Sequence, residues 1–493
     1  MKLALRLVIA AVAGACLAAA FAPLSWSWLI FIGALGLIAA CWRAPWWHAG
    51  LVGLISGTVF FALLVSWMSI VGVDAWIGVV AYLVFWFVLA AIGTALTSWL
   101  PAPAFWITAV WIAEETLRAR IPFGGFPWGR FAFGAVGTGA EFAASIGGAA
   151  LTTGVVMLLA SSIVWMIAVP TARTFWIAGS SIVAVVIVCV IGYATTIRDA
   201  GTTSRVAVVQ GSVPEYGMGA MDTRRVVLNN HLRETIALSQ RGMDVDAVIW
   251  PENASDLDPL RDANVARDLS TVSGAVNAPI LVGAVVVDPM DPRYRLNVGI
   301  VWTAQGPGQM YAKTHPVPFG EYIPFRAQLA GYTDRFDRIP SDFAAGERPG
   351  NLDLAGVNVG DVICFEIAYD DVVRAVVRGG AQYIAVQTNN ATYGDTSQPD
   401  QQLAITRLAA IEHGRWVAVA ATSGVSGFID PHGNVVQQLK DNSPGSLVQD
   451  VPLVQGLTVA DRINPWGEFG ITLLAFLGVG LGVSTRVRAR RLG

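Results

Sequence analysis

A series of long apolar segments most constrains what this chain can fold into. A helix needs roughly 20 mainly apolar residues to cross the hydrocarbon core of a membrane. Eight segments are apolar enough: 5–22, 27–42, 48–71, 75–97, 103–117, 145–169, 173–197 and 466–485. The sequence therefore predicts a multi-pass α-helical membrane domain of about seven helices over 1–200. A C-terminal transmembrane helix is predicted over 466–485.

Charged residues divide the chain in the same way. The chain has 32 Lys and Arg residues and 35 Asp and Glu residues. Only 13 of all these charged residues lie before residue 201. Charged side chains make up about a quarter of an ordinary soluble domain, but only 14% of this chain. A net charge of -3 and the lack of a long basic stripe argue against nucleic acid as a partner. Residues 203–460 are predicted to form the water-soluble domain.

The positions of Lys and Arg predict how the chain crosses the membrane. Eight spans place both termini on one side, where the basic residues concentrate: Lys2, Arg6, Arg43, Arg173 and the tail 486–493. Cytoplasmic segments are enriched in Lys and Arg, so both termini are predicted to be cytoplasmic and the soluble domain extracytoplasmic. Three arginines after the fifth span oppose this orientation: Arg118, Arg120 and Arg130. Residues 1–20 also fit a cleaved signal peptide, an alternative weakened by the apolar segments that follow.

Within the soluble part, short β-rich segments alternate with helical patterns, which is typical of an α/β domain. The predicted strands are 206–210, 247–250, 280–287, 297–302, 357–365, 383–387, 416–422 and 427–430. The predicted helices are 223–241, 261–277, 370–378 and 401–413. The sequence shows no internal repeat, so a single domain is expected.

Three residue types that serve acyl transfer occur in this domain. Glu252 follows an apolar strand and the pair Trp250-Pro251, at a strand end where α/β active sites gather. Lys313 stands in a proline-rich loop, and Cys364 ends another strand. Taken singly, a loop carboxylate or lysine is usually solvated, and a lone cysteine is usually a small core residue. Together they provide a base, a cation for an oxyanion and a nucleophile.

The order and context of these residues resemble the nitrilase superfamily. The flanking spans narrow the resemblance to the bacterial apolipoprotein N-acyltransferases. The matching segments are Gly125–Trp128, Trp250–Asn253, Lys313–Pro324, Ile363–Glu366 and Gly394–Asp395. The resemblance implies an α/β nitrilase-like domain, an α-β-β-α sandwich, held at the plasma membrane of a bacterium.

The resemblance also implies a ping-pong reaction that needs no cofactor or metal. Glu252 would take the thiol proton, Cys364 would attack a phospholipid acyl donor, and Lys313 would stabilise the oxyanion. The N-terminal amine of a diacylated apolipoprotein would then accept the acyl chain. Supporting residues are expected at Glu321, Glu366 and Asn297, and substrate contacts at Trp250, Phe365, Tyr369, Tyr393 and Trp128. Membrane lipids are further expected partners, and the protein is expected to be a monomer.

Two other functions stay open on the sequence. A membrane-tethered carbon-nitrogen hydrolase, or amidase, would let water resolve the thioester, but one anchor helix would suffice for it. A lipid transporter with an external domain predicts ionisable residues within the spans. Few are present apart from Glu114, Glu115 and Glu141 near segment ends. A transporter would also leave the Glu, Lys and Cys set unexplained.

Overall fold

The chain divides into two compact units. The computed structural model describes residues 1–195, 199–213, 217, 225–329, 340–439 and 443–492. One unit comprises Met1–Thr196 with Thr458–Gly493, and the other comprises Ile197–Leu457. Some predicted features lie outside the described part of the chain. They are the start of the helix predicted from residue 223, the tail side chains beyond Val487, and residue 493.

The first unit is built from helices. Its eight longer helices, among the described residues, are α1 Leu3–Ala19, α2 Leu29–Cys41, α3 Trp46–Leu64, α4 Val73–Thr97, α5 Pro103–Arg118, α6 Ala144–Ala168, α7 Ala172–Ala194 and α12 Trp466–Leu492. Short helical turns occupy Ser66–Ile70, Phe131–Gly134, Ala140–Ala143 and Val459–Ile463. Small residues let these helices approach closely: a Cβ atom on Gly53 of α3 would lie 2.8 Å from Ala91 Cβ of α4.

Five of these helices are long and apolar enough to cross a membrane, namely α3, α4, α6, α7 and α12. The segment predicted over 48–71 is shorter than expected, because α3 ends at Leu64 and a 3-10 turn follows. Helix α2 has 13 residues. At 1.5 Å per residue it is about 20 Å long, less than the roughly 30 Å of the hydrocarbon core. Complete crossings by α1, by α2 and by the 16-residue α5 therefore stay predictions.

The second unit contains two six-stranded sheets. The strands are β1 Asp199–Gln210, β2 Ala247–Ile249, β3 Ile280–Val287, β4 Arg295–Thr303, β5 Gly306–Ala312, β6 Asn351–Leu354, β7 Val357–Ile363, β8 Tyr383–Thr388, β9 Val417–Ala421, β10 Gly427–Ile429, β11 Val435–Gln438 and β12 Gly445–Val454. The first sheet has the order β12-β1-β2-β3-β4-β5, and the second has the order β11-β10-β9-β8-β7-β6. The parallel pairs β1–β2, β2–β3, β7–β8 and β8–β9 form the centres of the two sheets.

Helices cover the sheets and complete four layers. They are α8 Val226–Gln240, α9 Ala263–Val276, α10 Asp370–Arg378 and α11 Gln398–His413, with a short turn at Arg326–Leu329. Leu228 of α8 and Leu269 of α9 pack with Val248 and Ile280 of the first sheet. A separate core joins the facing sides of the two sheets and includes Ile249, Leu281, Val359 and Ile363. The predicted α-β-β-α sandwich is confirmed.

All eight predicted strands are present, but β5, β6, β11 and β12 were missed. Strands β12, β5, β11 and β6 are the outer strands of their sheets. An outer strand has fewer buried positions, so it lacks the continuous apolar run that marks a central parallel strand. In β5, for example, three consecutive residues from Pro307 to Gln309 are exposed. The central strand β3, by contrast, has the predicted bounds 280–287.

Candidate active site

Cys364 lies where strand β7 ends and the 3-10 turn Cys364–Ala368 begins. Its φ of 55° is in the left-handed region, which costs a non-glycine residue on the order of 1–3 kcal/mol. Thr388, at the end of the adjacent strand β8, donates its hydroxyl to Cys364 Sγ at 3.3 Å. Gln402 of α11 donates to Thr388 Oγ1 at 3.0 Å. The thiol is therefore held at the carboxyl edge of the second sheet.

The turn after the cysteine is held by Glu366, a fully buried carboxylate. Its Oε1 accepts hydrogen bonds from Thr314 N at 2.7 Å, Thr314 Oγ1 at 2.9 Å and His315 N at 3.1 Å. Its Oε2 accepts from Ile363 N at 2.9 Å, and Tyr311 donates its hydroxyl to Oε1 at 2.9 Å. Glu366 therefore connects the strand that carries Cys364 to the loop that carries Lys313.

Replacing Glu366 by glutamine should destabilise the fold. The amide nitrogen of glutamine would face hydrogen-bond donors that now share a carboxylate, so at least one buried donor loses its partner. We expect the free energy of unfolding to fall by about 2–4 kcal/mol, measured by denaturant titration. The matched control is Asp371→Asn, because the Asp371 side chain is 63% exposed. Equal stability of the two variants would contradict the role assigned to Glu366.

Lys313 lies between two carboxylates in a buried cluster. Its Nζ is 3.3 Å from Glu252 Oε1 and 3.1 Å from Glu321 Oε2. Asn297 Nδ2 donates to Glu252 Oε1 at 2.7 Å and to Glu321 Oε1 at 2.8 Å. Asn389 N donates to the other Glu252 oxygen at 2.9 Å. Lys313 and Glu252 are 2% and 5% exposed, so little water competes for these bonds.

Burial and the charges of this cluster together shift the pKa values of the Lys313 ammonium and the Cys364 thiol. Burial lowers the pKa of Lys313, but Glu321 and Glu252 outweigh it and raise that pKa well above its usual value. Burial and the Glu252 charge raise the pKa of Cys364 to about 12, against a lowering effect of Lys313. At neutral pH the resting thiol is therefore protonated. Since the thiolate is the nucleophile, the cysteine needs a base at the moment of reaction.

The two neighbours of Cys364 should shift its pKa in opposite directions. Removing the negative charge in Glu252→Gln should lower the thiol pKa, whereas removing the positive charge in Lys313→Met should raise it. The measurement is the rate of Cys364 alkylation by iodoacetamide as a function of pH, followed on the Cys364 peptide by mass spectrometry. The rise in rate should move to lower pH in the first variant and to higher pH in the second. Shifts of the same sign would contradict this electrostatic account.

Three of the predicted substrate contacts belong to segments next to the site: Phe365 and Tyr369 lie in and just after the turn that begins at Cys364, and Tyr393 follows strand β8. Phe365 is half-buried, and its ring centroid is 5.6 Å from that of Tyr369. The Tyr369 ring is in turn 4.6 Å from the ring of His315. Burial, followed by the charges of Cys364 and Glu252, raises the pKa of Tyr393. Contact of these aromatic residues with substrate stays a prediction.

The two tryptophans among the predicted substrate contacts lie in packed cores. Trp250 is fully buried between the first sheet and α8, and its Nε1 donates to Thr235 Oγ1 at 2.9 Å. Trp128 belongs to the helical unit, is 1% exposed and packs against Trp67 with ring centroids 5.7 Å apart. Their packing gives no support to a substrate contact for either ring.

Sequence reasoning missed Thr388, Asn389 and Gln402. Strand β8 is apolar until Gln387 and is followed by Thr388, Asn389 and Asn390, a polar group at the carboxyl end of a parallel strand. This is the same signal that indicated Glu252. Gln402 lies on a helix with other polar residues, and nothing in the local sequence distinguishes it. Within the described ranges, no group of three or more His, Cys, Asp or Glu could hold a metal ion.

Comparisons with known proteins give matches for both parts of the chain. Residues 205–457 match the carbon-nitrogen hydrolase family, and residues 13–162 match the apolipoprotein N-acyltransferase N-terminal domain. An apolipoprotein N-acyltransferase of Mycolicibacterium smegmatis is 34% identical, over 93% of this chain and 81% of that protein. One from Pseudomonas aeruginosa is 28% identical, over 94% of this chain and 92% of that protein. A solved nitrilase-superfamily amidase from Nesterenkonia AN1 is 17% identical with a TM-score of 0.42, covering 56% of this chain and 99% of its own.

The family matches and the fold define a membrane protein of the carbon-nitrogen hydrolase superfamily. The relatives narrow this class, because their similarity extends over the helical and the α/β parts of the chain. The chain belongs to the apolipoprotein N-acyltransferase family, a family of acyltransferases. The resemblance found in the sequence is confirmed.

Proposed function

We propose that the protein transfers an acyl chain from a phospholipid, through a thioester on Cys364, to the N-terminal amine of a diacylated apolipoprotein. The observation that carries the proposal is the buried cluster in which Lys313 contacts Glu252 at 3.3 Å and influences the Cys364 thiol electrostatically. A nucleophile beside a buried cation and a buried carboxylate base provides the groups that acyl transfer requires.

In the first half-reaction, Glu252 takes the proton of the Cys364 thiol while the sulfur attacks the ester carbonyl carbon of the phospholipid. The ammonium of Lys313 stabilises the negative oxygen of the tetrahedral intermediate. The carbon–oxygen bond then breaks, and Glu252 returns its proton to the departing oxygen. Lysophospholipid leaves, and the acyl chain remains as a thioester.

In the second half-reaction, the neutral N-terminal amine of the apolipoprotein attacks the thioester carbonyl carbon. Glu252 accepts a proton from this amine, and Lys313 again stabilises the oxyanion. The carbon–sulfur bond breaks, and the proton passes to the cysteine sulfur. The products are an amide and the starting thiol, so no cofactor and no ATP is consumed.

The other residues of the site would act by position. Asn297 and Glu321 hold Lys313 and Glu252, and Glu366 holds the turn of Cys364. Phe365, Tyr369 and Tyr393 would line the path of the acyl ester. Since the three reacting residues belong to one α/β unit of one chain, a monomer is sufficient.

The proposed orientation has both termini in the cytoplasm and the α/β unit outside it. The three arginines that oppose this orientation form ion pairs within the helical unit: Arg118 with Glu114 at 2.6 Å, Arg120 with Glu468 at 2.7 Å and Arg130 with Glu115 at 3.5 Å. Arg43 and Arg486 instead lie over the Trp99 ring at 4.8 and 5.7 Å. Tryptophan favours the membrane interface, so these two arginines support a basic, cytoplasmic end of the helices.

The proposal is tested by following the donor acyl chain. The protein, in lipid nanodiscs, receives a phospholipid with an isotope-labelled acyl chain and a diacylglyceryl lipopeptide with a free N-terminal amine. The control is the same lipopeptide with its amine acetylated. We expect labelled amide on the free amine only. Release of labelled fatty acid at an equal rate with either peptide would show a hydrolase instead.

A further inference from the structure

A buried carboxyl group that the proposed reaction does not use lies between the two sheets. Asp361 stands three residues before Cys364 on β7 and is fully buried. It lies on the same face of β7 as Val359 and Ile363, which belong to the core between the sheets. Among the residues that the structure describes, neither Asp361 oxygen has a hydrogen-bond partner. An ionised carboxylate is very costly in such a place, so a buried group of this kind takes up a proton instead.

A second acceptor without a partner lies beside it. Gln387 of β8 is fully buried, and no described residue donates to its Oε1. Its Nε2 donates to the carbonyl oxygens of Trp250 at 2.6 Å and Leu281 at 3.3 Å. A Cβ atom on Gly299 of the facing sheet would lie 2.0 Å from Asp361 Oδ2 and 2.7 Å from Gln387 Oε1. Both oxygens therefore converge on the space that this glycine leaves open. Because an amide oxygen only accepts hydrogen bonds, a proton shared between them must belong to Asp361.

We propose that Asp361 is a protonated acid that donates a hydrogen bond to Gln387 Oε1 and thereby positions the base Glu252. The bond fixes the orientation of the Gln387 amide, whose nitrogen holds the Trp250 carbonyl. Trp250 lies two residues before Glu252, so the network connects the strand of the nucleophile to the strand of the base. Asp361 acts through Gln387 and is a positioning residue. This inference rests on the proposed function, in which Glu252 is the base.

Three titratable groups face Asp361. Glu366 follows β7, Glu252 follows β2, and Tyr311 lies on β5. Burial and then the charges of Glu366 and Glu252 raise the pKa of Asp361 well above its usual value, against a lowering effect of the Val362 backbone N–H. The proton is therefore kept at pH values where an ordinary aspartate is ionised, and it is lost as the pH rises through the raised pKa of Asp361. Its loss removes the hydrogen bond and adds a negative charge near Glu252, so activity should fall on the alkaline side.

Two variants of nearly equal size test the role of this proton. In Asp361→Asn the amide nitrogen can donate to Gln387 Oε1, so kcat should stay within about threefold of the native value. In Asp361→Leu no donor remains, and kcat should fall by about tenfold to a hundredfold because the base is misplaced. The KM for phospholipid should not change in either variant. The alkaline fall in kcat should move to higher pH in Asp361→Asn.

Infrared spectroscopy tests the proton without any substrate. The infrared spectrum of the native protein minus that of Asp361→Asn should show the carbonyl stretching band of a protonated carboxyl group. The native spectrum minus that of Asp371→Asn should not show this band. Absence of that band would overturn the inference. Native kcat in Asp361→Leu, or an unmoved alkaline fall in Asp361→Asn, would also overturn it. If Asp361→Leu fails to fold, the pH dependence of kcat in Asp361→Asn and the infrared band still test whether Asp361 carries the proton. A failure of the proposed function would appear instead as a native protein that forms no amide.

Discussion

Replacing Cys364 by alanine should abolish acyl transfer and leave the fold intact. The thiol is the atom that forms the thioester, and loss of a nucleophile lowers kcat by a factor on the order of 10⁶ in a well-studied hydrolase. Alanine tolerates the φ of 55° at this position as well as cysteine does, so the free energy of unfolding should change little. The measurement is transfer of a labelled acyl chain to a lipopeptide with a free amine.

Two further variants define what the Cys364 result means. Cys364→Ser keeps the shape of the side chain but has a far weaker nucleophile, so it should also fail in transfer. Cys189→Ala, on helix α7, removes a cysteine from the other unit and should retain native activity. Substantial acyl transfer by Cys364→Ala would show that a thioester on Cys364 is not an intermediate of the reaction.

Replacing Lys313 by methionine should cost both activity and stability. Methionine has a similar length but no charge, so the oxyanion loses its cation, and kcat should fall by a factor of about 10²–10³ or more. Glu252 and Glu321 would be left with Asn297 as their shared donor. Removing one partner of a buried ion pair costs about 3–5 kcal/mol, so denaturant titration should show a fall of that size.

The matched control for this variant is Arg267→Met, which removes a positive charge from an exposed position on α9. It should leave both kcat and the free energy of unfolding near their native values. If Lys313→Met kept native kcat, stabilisation of the oxyanion would have to come from other groups. Loss of stability without loss of activity would make Lys313 a structural residue only.

The sequence predicted the central parts of the fold because local patterns determine them. Strand β3 is a run of apolar residues buried on both faces, and its bounds could be read directly. Glu252 and Cys364 were marked by their places at strand ends, where α/β sites gather. The grouping of these two with Lys313 was inferred from their complementary chemistry within one α/β domain, and the resemblance then implied a role for each. The local sequence around each residue does not show that the three meet in space.

Other features depend on contacts between distant segments. Glu366 was expected to support the site, but its place at the junction of Thr314, His315 and Ile363 requires the folded loop. In the sequence, nothing distinguishes Asp361 from an ordinary polar residue within a strand. Only the packing of the second sheet against Gly299 of the first shows that it is buried without a partner. Trp250 was expected at the substrate, but the twofold alternation of β2 turns its ring towards α8.

The most direct test of the account is the mass of the intact protein after incubation with phospholipid alone. We predict a gain of one acyl chain that hydroxylamine removes, that is present in the native protein and absent in Cys364→Ala. Addition of a diacylglyceryl lipopeptide with a free amine should discharge the adduct faster than water does and yield the N-acylated peptide. Absence of the adduct in the native protein, or equal discharge by water, would contradict acyl transfer through Cys364.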